Sequence, residues 1–324
     1  MGRARHPSRA PDRRSRQVRP ARVNKPRSAP RRLVDGVLLL DKPSGMTSND
    51  ALQKARRLYN AAKAGHTGTL DPMATGLLPL CFGEATKFAG ELLDADKTYL
   101  ASVQLGVTTD TADAEGQVLE TRPVDIVEAQ AEAVLARFRG EIEQVPPMHS
   151  ALKRDGKPLY EYARAGIEVE RAPRRVTIHA LRLTAWNGQS FDLEVSCSKG
   201  TYVRTLAADI GAALGCGAHL AALRRTQIAS LDIADAIGLN ALEALDIEAR
   251  DSRLHPADAL LAKLPRAELA EADARRVLHG QGVRWSAAPG DRYRYYGPDG
   301  RFLGVGEMSA DGWLNPRRLV AEKG

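Results

Sequence analysis

The stretch Gly65-His-Thr-Gly-Thr-Leu-Asp-Pro-Met-Ala-Thr-Gly76 sets three glycines, a proline, a histidine and one carboxylate between two apolar runs. Glycines at that density let a backbone take positive φ or come close to a ligand. Pro72 holds Asp71 in an extended or turn conformation. The segment reads as a rigid loop that presents one acid and one imidazole. Its composition alone also suits an ordinary turn or helix cap. What flanks it decides between the two readings.

Upstream, Gly36–Leu40 reads as a buried strand ended by Asp41-Lys42-Pro43. Thr47 or Ser48 then caps a helix with Leu52, Ala55 and Leu58 on one face. Downstream the pattern gives a strand at Leu77–Phe82, a helix from about Ala85 to Leu93, and a half-buried strand over Lys97–Leu105. Val127, Ala131, Leu135 and Phe138 recur at helical spacing. Val176–Ala185 and Phe191–Ser196 flank Asn187-Gly188, a pair suited to a type I′ hairpin turn. Gly200 opens a helix through Leu206, Ile210 and Leu214; Arg224-Arg225 and a further strand then lead to an alanine-rich, mostly helical stretch ending near Lys263. The last 60 residues hold short strands (280–284, 293–296 and 302–307) and close on Pro316-Arg317-Arg318. Strands alternating with helices, with no internal repeat, predict an α+β main domain followed by a small β-rich module.

The chain has 324 residues, 43% of them hydrophobic and 5% aromatic, enough for two domains. No apolar run reaches the length of a membrane span, and no secretory signal is evident, so the expected compartment is cytoplasmic. Cys81, Cys197 and Cys216 stand too far apart for a Cys-x-x-Cys pair, which fits a reducing compartment and implies no metal. The net charge of +7 is unevenly spread: residues 1–33 carry eleven Arg and one Lys against Asp12, leaving 35 basic and 39 acidic groups beyond them. With five prolines and almost no aliphatics, that tail cannot bury a core and is expected to be disordered. The rest, slightly acidic, must meet any polyanion through local patches.

Four features coincide in the main domain: the Asp71 loop with His66; Lys97-Thr98-Tyr99; Ser198-Lys199-Gly200-Thr201-Tyr202-Val203-Arg204; and a basic segment at 141–175 with Tyr160 and Tyr162 interleaved. Aromatics to stack on a base, arginines for phosphate or carboxylate, and one acid for reaction suggest a nucleobase site.

These blocks identify a resemblance to the bacterial TruB family, the tRNA pseudouridine synthases that act on uridine 55 of the T loop. It runs from about Val34 to Val320 and is strongest at 36–48, at 65–76, at Cys197–Thr205, and at Cys216–Leu220 with Leu223-Arg-Arg225. The resemblance implies a pseudouridine-synthase α+β core, a mixed and largely antiparallel sheet with flanking helices, over 34–263. Within it, 141–175 would grip the T arm. A PUA-like RNA-binding domain over 264–324 would touch the acceptor end. The implied reaction breaks the uracil–ribose bond, turns the base and rejoins it through carbon 5, with no cofactor, metal, membrane or obligate protein partner. Asp71 matches the catalytic aspartate, as nucleophile or as the carboxylate assisting an elimination. Arg204 matches the arginine that pairs with it and would keep it ionised despite burial. Tyr99 matches the tyrosine that stacks on the target base and helps proton transfer from the sugar. His66 matches the residue that fills the space left by the flipped uridine. Tyr202 and Leu223 match positions lining the uracil site, Leu223 through its backbone. Lys42 is open to a phosphate-binding or a structural reading.

Two rivals remain. An RNA-binding module without chemistry would have no use for a buried carboxylate facing RNA phosphate. A nucleoside or sugar hydrolase would show two working carboxylates, and only Asp71 sits in a matching motif.

Overall fold

The computed structural model describes residues 1–2 and 30–321, and the expected disorder of the basic tail falls almost wholly outside them. Arg32, counted with that tail, is docked instead. Its amide donates to Asn60 O (2.7 Å), its carbonyl accepts from Ala62 N (2.9 Å), and its guanidinium pairs with Asp251. An arginine with an ion pair and two backbone hydrogen bonds belongs to the fold, whatever the composition around it.

The main sheet is built from β1 (Gly36–Lys42), β2 (Ala64–His66), β3 (Thr75–Phe82), β4 (Lys97–Leu105), β5 (Gly140–Gln144), β6 (Arg174–Trp186), β7 (Ser190–Cys197), β8 (Ala218–Ile228) and β9 (Ile237–Gly238). The order across it is β9-β1-β3-β8-β4-β7-β6-β5, with β2 on β3. Only β1–β9 and β3–β8 run parallel among these pairs. The apolar run of β1 is explained by burial on both faces. Leu38 and Leu40 join the core under α1 (Ser48–Leu58), α2 (Glu128–Ala136) and α3 (Val203–Leu214). Val37 and Leu39 join a second core with Phe88, Leu92 and Leu260. The sheet is thus sandwiched, as the α+β reading requires.

Local signals worked where side chains act on their own neighbourhood. Thr47 caps α1 with a full capping box, its hydroxyl accepting from Asp50 N while Asp50 accepts from Thr47 N. α3 begins at Val203, past Gly200, and ends on left-handed Gly215. Three readings change. The expected helix at 85–93 is a 3₁₀ stretch, Gly83–Leu92. The hairpin between β6 and β7 turns over 187–189, where Gly188 alone has positive φ, because the Asn187 side chain accepts from the amides of Gln189 and Ser190. That replaces the type I′ turn, which needs positive φ at two residues. Arg224 and Arg225 lie inside β8 rather than before a strand.

Beyond the main sheet come β10 (Arg266–Glu268), α4 (Glu271–Leu278), β11 (Val283–Arg284), β12 (Arg292–Tyr296), β13 (Phe302–Met308) and β14 (Trp313–Leu319). They form a five-stranded sheet in the order β10-β12-β13-β14-β11, with its own core of Ala267, Val277, Tyr295, Leu303 and Leu314. The closing Pro316-Arg317-Arg318 is part of β14. Among the described residues no helix is long and apolar enough to cross a membrane.

Candidate active site

The quoted loop joins β2 to β3 and is stitched to the segment after β1. Ser48 Oγ, at the start of α1, accepts from Leu70 N (2.8 Å) and donates to Leu70 O (3.1 Å). Gly45 N donates to Pro72 O (2.9 Å) and Ser44 Oγ to Met73 O (3.1 Å). Lys42 is fully buried, and its ammonium donates to the carbonyls of Pro43, Met46 and Pro72. Burial lowers its proton affinity to about 8 against the pull of Asp71. A lysine with three carbonyls and no exposed surface is structural, which decides the question left open by its position. Gly76 is obligatory for a different reason. Its φ is +101°, and a Cβ there would meet Arg225 O and lie 2.8 Å from Arg225 N.

Asp71 is thereby held at the mouth of a recess, its side chain 37% exposed, with Oδ2 3.0 Å from Arg204 Nε. Arg204 comes from the first turn of α3 and is itself buried. It does not belong to Asp71 alone. Its Nη1 lies 3.2 Å from Asp113 Oδ2, and it donates to Thr111 O (3.3 Å) and His149 O (2.8 Å). Asp113 is 3% exposed and also accepts from Thr111 Oγ1 and Glu115 N. With the arginine shared, burial prevails and Asp71 is pushed above the ordinary carboxylate range. Arg204 and Lys42 oppose that shift, and Asp113 adds to it. Arg204 acts in the expected direction, favouring the ionised carboxylate, and moderates the rise that burial imposes.

Tyr99 projects from β4 on the face of Ala101, Val103 and Leu105. Burial raises its phenol's pKa. Arg225, its direct cross-strand partner on β8, opposes that, and the Asp71 charge adds to it. Tyr202 precedes α3, and its backbone is gripped by the Gln144 side chain, which accepts from Tyr202 N (3.0 Å) and donates to Tyr202 O (3.2 Å). Burial raises the Tyr202 phenol too, with Arg204 opposing and Asp71 reinforcing. Leu223 is buried on β8 opposite Ala101, its carbonyl 3.4 Å from Thr75 Oγ1. His66 ends β2; its Nδ1 is buried without a hydrogen-bond partner, and burial, then Arg225, lowers its proton affinity. The Asp71 charge bears on both phenols and Arg204 on Tyr202, so these four side chains form one cluster, a recess in which Asp71 is partly exposed and Arg204 buried. Leu223 lies beside Tyr99's strand and His66 on the Arg225 side. Asp113 and Gln144 were missed from sequence, because neither sits in a block whose spacing points at Arg204 or Tyr202.

The segment 141–175 carries a short hairpin, 153–154 with 157–158, and the helix Leu159–Arg164. Lys153, Arg154, Lys157 and Arg164 are exposed there, and none has a carboxylate within 4 Å among the described residues. Among those residues, no cluster of three His, Cys, Asp or Glu side chains is arranged to hold a metal ion.

Residues 56–203 match the N-terminal domain of the TruB family of pseudouridylate synthases. Residues 204–262 match the tRNA pseudouridylate synthase B C-terminal domain, and residues 265–320 match the pseudouridine synthase II TruB C-terminal description. The chain is 64% identical over 295 residues to tRNA pseudouridine synthase B of Azoarcus sp. (strain BH72), covering 91% of this chain and 98% of that one. It is 61% identical to the protein of the same name from Dechloromonas aromatica (strain RCB), over 89% and 96% of the two chains. Among solved structures it superposes on a chain of an H/ACA RNP bound to a substrate RNA containing 2′-deoxyuridine. That match has a TM-score of 0.70 at 22% identity, over 90% of this chain and 86% of the other. A chain of a Cbf5-Nop10-Gar1 complex follows at 0.68 and 25%, over 90% and 85%. The mixed sheet with its helices is thus the pseudouridine-synthase fold. The chain belongs to the TruB family of pseudouridylate synthases, which are isomerases.

Proposed function

We propose that this tRNA uridine isomerase acts on uridine 55 of the T loop, with Asp71 as the catalytic carboxylate and the target base flipped into the recess. The observation that carries the reading is the Asp71–Arg204 pair. One carboxylate oxygen is 3.0 Å from a buried guanidinium, and the same partly exposed carboxylate bears on the Tyr99 and Tyr202 phenols. A carboxylate so placed can attack the anomeric carbon or stabilise a cationic sugar while uracil departs. Uracil then turns within the closed site and bonds through carbon 5, so no water is consumed.

In this reading Tyr99 stacks on the base and moves a proton of the sugar, and Tyr202 and the Leu223 backbone line the uracil edge. His66 fills the stack left by the extruded nucleotide, where an unpartnered buried Nδ1 has a use. The unpaired cations at 153–164 suit the phosphates of the T arm. The five-stranded module, taken as residues 264–324, suits the acceptor end, and 34–263 is the catalytic domain. Three buried, unpaired cysteines accord with the cytoplasm as its compartment. The hydrolase rival needs a second working carboxylate. Asp113 stands nearby but is spent on Arg204, Thr111 and Glu115. Incubating a T-arm stem-loop with the purified protein and mapping pseudouridine tests the reading. Conversion at position 55 that vanishes in Asp71→Asn is expected. Conversion elsewhere, or an active Asn variant, refutes it.

A further inference from the structure

Two consecutive arginines on β8 meet opposite fates. Arg224 faces Asp41, with contacts of 3.0 and 2.8 Å to its two carboxylate oxygens, and remains partly exposed. Arg225 is 1% exposed and, among the described residues, has no carboxylate within 4 Å. Its Nε donates to Leu77 O (2.8 Å), and its Nη2 is buried with no hydrogen-bond partner. A buried cation without an anion is strongly unfavourable unless some other group compensates it. Its field spreads accordingly: Arg225 lowers the proton affinity of Lys42, His66 and Lys97 around it.

The backbone fixes where this charge sits. Arg225 pairs with Gly76 on one side and with Tyr99 on the other, so the loop strand and the tyrosine strand close on it together. A register shift follows directly, between Arg225 and Gln227; such bulges re-aim side chains beside active sites. Arg225 stands directly opposite Tyr99 across the two strands, so its guanidinium charge bears on the phenol. The other polar groups facing that phenol are the Cys197 thiol from β7 and Asp71 from the loop. Both disfavour a phenolate, and burial does so more strongly still. Arg225 is the one neighbour among them that favours it.

We propose that Arg225 is a positioning residue for the isomerisation: buried opposite Tyr99 with no carboxylate partner, it supplies the counter-charge when Tyr99 works as a phenolate. The inference rests on the proposed chemistry at Asp71. In the step served, the Tyr99 oxygen takes the proton from the ribose C2′ carbon. The C–H pair becomes the C1′=C2′ bond, and the C1′–N1 pair leaves with uracil. Uracil's C5 then bonds to C1′, the phenol returns its proton to C2′, and the proton displaced from C5 goes to N1, so no co-reactant is needed. Arg225 touches none of these atoms and acts through Tyr99 alone. Its burial leaves RNA phosphate no route to it.

The test is a titration of Tyr99 in the full-length protein, using 3-fluorotyrosine, whose fluorine acidifies the phenol and reports its ionisation by ¹⁹F resonance. Tyr99→Phe assigns the signal. Arg225→Met should raise the Tyr99 midpoint by about one pH unit or more, a tenfold loss of phenolate at a given pH. Single-turnover conversion of a T-arm stem-loop should fall about tenfold at neutral pH and recover as pH rises, with RNA affinity unchanged. Arg225→Lys, which keeps the charge but not the planar fork, should show a smaller shift in the same direction, and it serves if the Met variant does not fold. A Tyr99 midpoint unmoved in every folded Arg225 variant, or a rate loss equal at all pH values, overturns the proposal. The titration needs no RNA. It therefore separates this inference from the Asp71 reading, whose failure would show as an active Asp71→Asn enzyme.

Discussion

The recess and the C-terminal sheet both run on arginine, and they use it in opposite ways. Around the recess, Arg204 and Arg225 are stripped of water. One is shared between two carboxylates, and the other has none within 4 Å among the described residues. In the C-terminal sheet, the Arg266 guanidinium lies 3.6 Å from the Tyr296 ring centroid, and that of Arg284 lies 4.4 Å from the Trp313 ring. Arg317 meets Glu307 at 3.1 Å with its own side chain 62% exposed. Exposed pairs of this kind contribute about 0–1 kcal/mol each and fade with salt. Buried charges instead set the proton affinity of whatever they touch. On the proposed reading the chemistry falls where arginine is dry, while the C-terminal sheet keeps its arginines largely wet.

The strongest way to break this contrast is at Asp71. Asp71→Asn should abolish single-turnover pseudouridine formation, by many orders of magnitude, while T-arm binding persists in a filter assay. Its stability carries a second outcome. A carboxyl whose proton affinity is raised by folding contributes stability at low pH that is lost as pH rises through its folded pKa. The neutral amide escapes that loss, so at neutral pH the Asn variant should melt no lower than the parent by calorimetry. For the parent, the acid limb of the rate profile should lie above the ordinary aspartate range near ~4.

Asp113→Asn is expected to come next, with a fall of roughly a hundredfold in rate, because Arg204 then swings wholly to Asp71. It also removes one charge that raises the Asp71 pKa, so the acid limb should move to lower pH. A limb that stays put would show that the shared arginine does not tune Asp71. His66→Ala should cost less, about tenfold, and more on a folded T loop than on a loosened one. An equal penalty on both substrates would count against the stacking role. The smallest effect belongs to the wet side. Removing residues 1–29, which spares the docked Arg32, should weaken RNA binding at low salt and flatten its salt dependence, with single-turnover conversion little changed. Loss of chemistry in a folded truncation would move the tail into the working enzyme.

How much of this was legible in sequence follows the range of the forces involved. Alternation fixed β4 to the residue, because a half-buried strand writes its burial in period two. Thr47 and Asp50 announced α1, because a cap acts within three residues. The Asp71–Arg204 pairing was legible only through family resemblance, since nothing local links two residues in separate blocks. Asp113 escaped altogether: its turn is polar and glycine-flanked, and its value arises from an arginine far along the chain. Arg225 escaped because two adjacent arginines in one block carry no local sign of which is buried. Only the register against Gly76 and Tyr99 turns one of them inward. Helix α4 was missed although acids open it and arginines close it, because the surrounding strands dominated the pattern.

Lys42, with its three carbonyl partners, has one more use. An amine held beneath the 70–74 turn is closed to acylating reagents in the folded enzyme, while an exposed amine such as Lys157 is open to them. Its modification requires the turn to lift away, which makes the residue a clock. The rate at which Lys42 is labelled, read by peptide mass beside Lys157 in the free protein, measures how often the segment carrying Asp71 comes undone, and RNA bound over that segment should slow the clock.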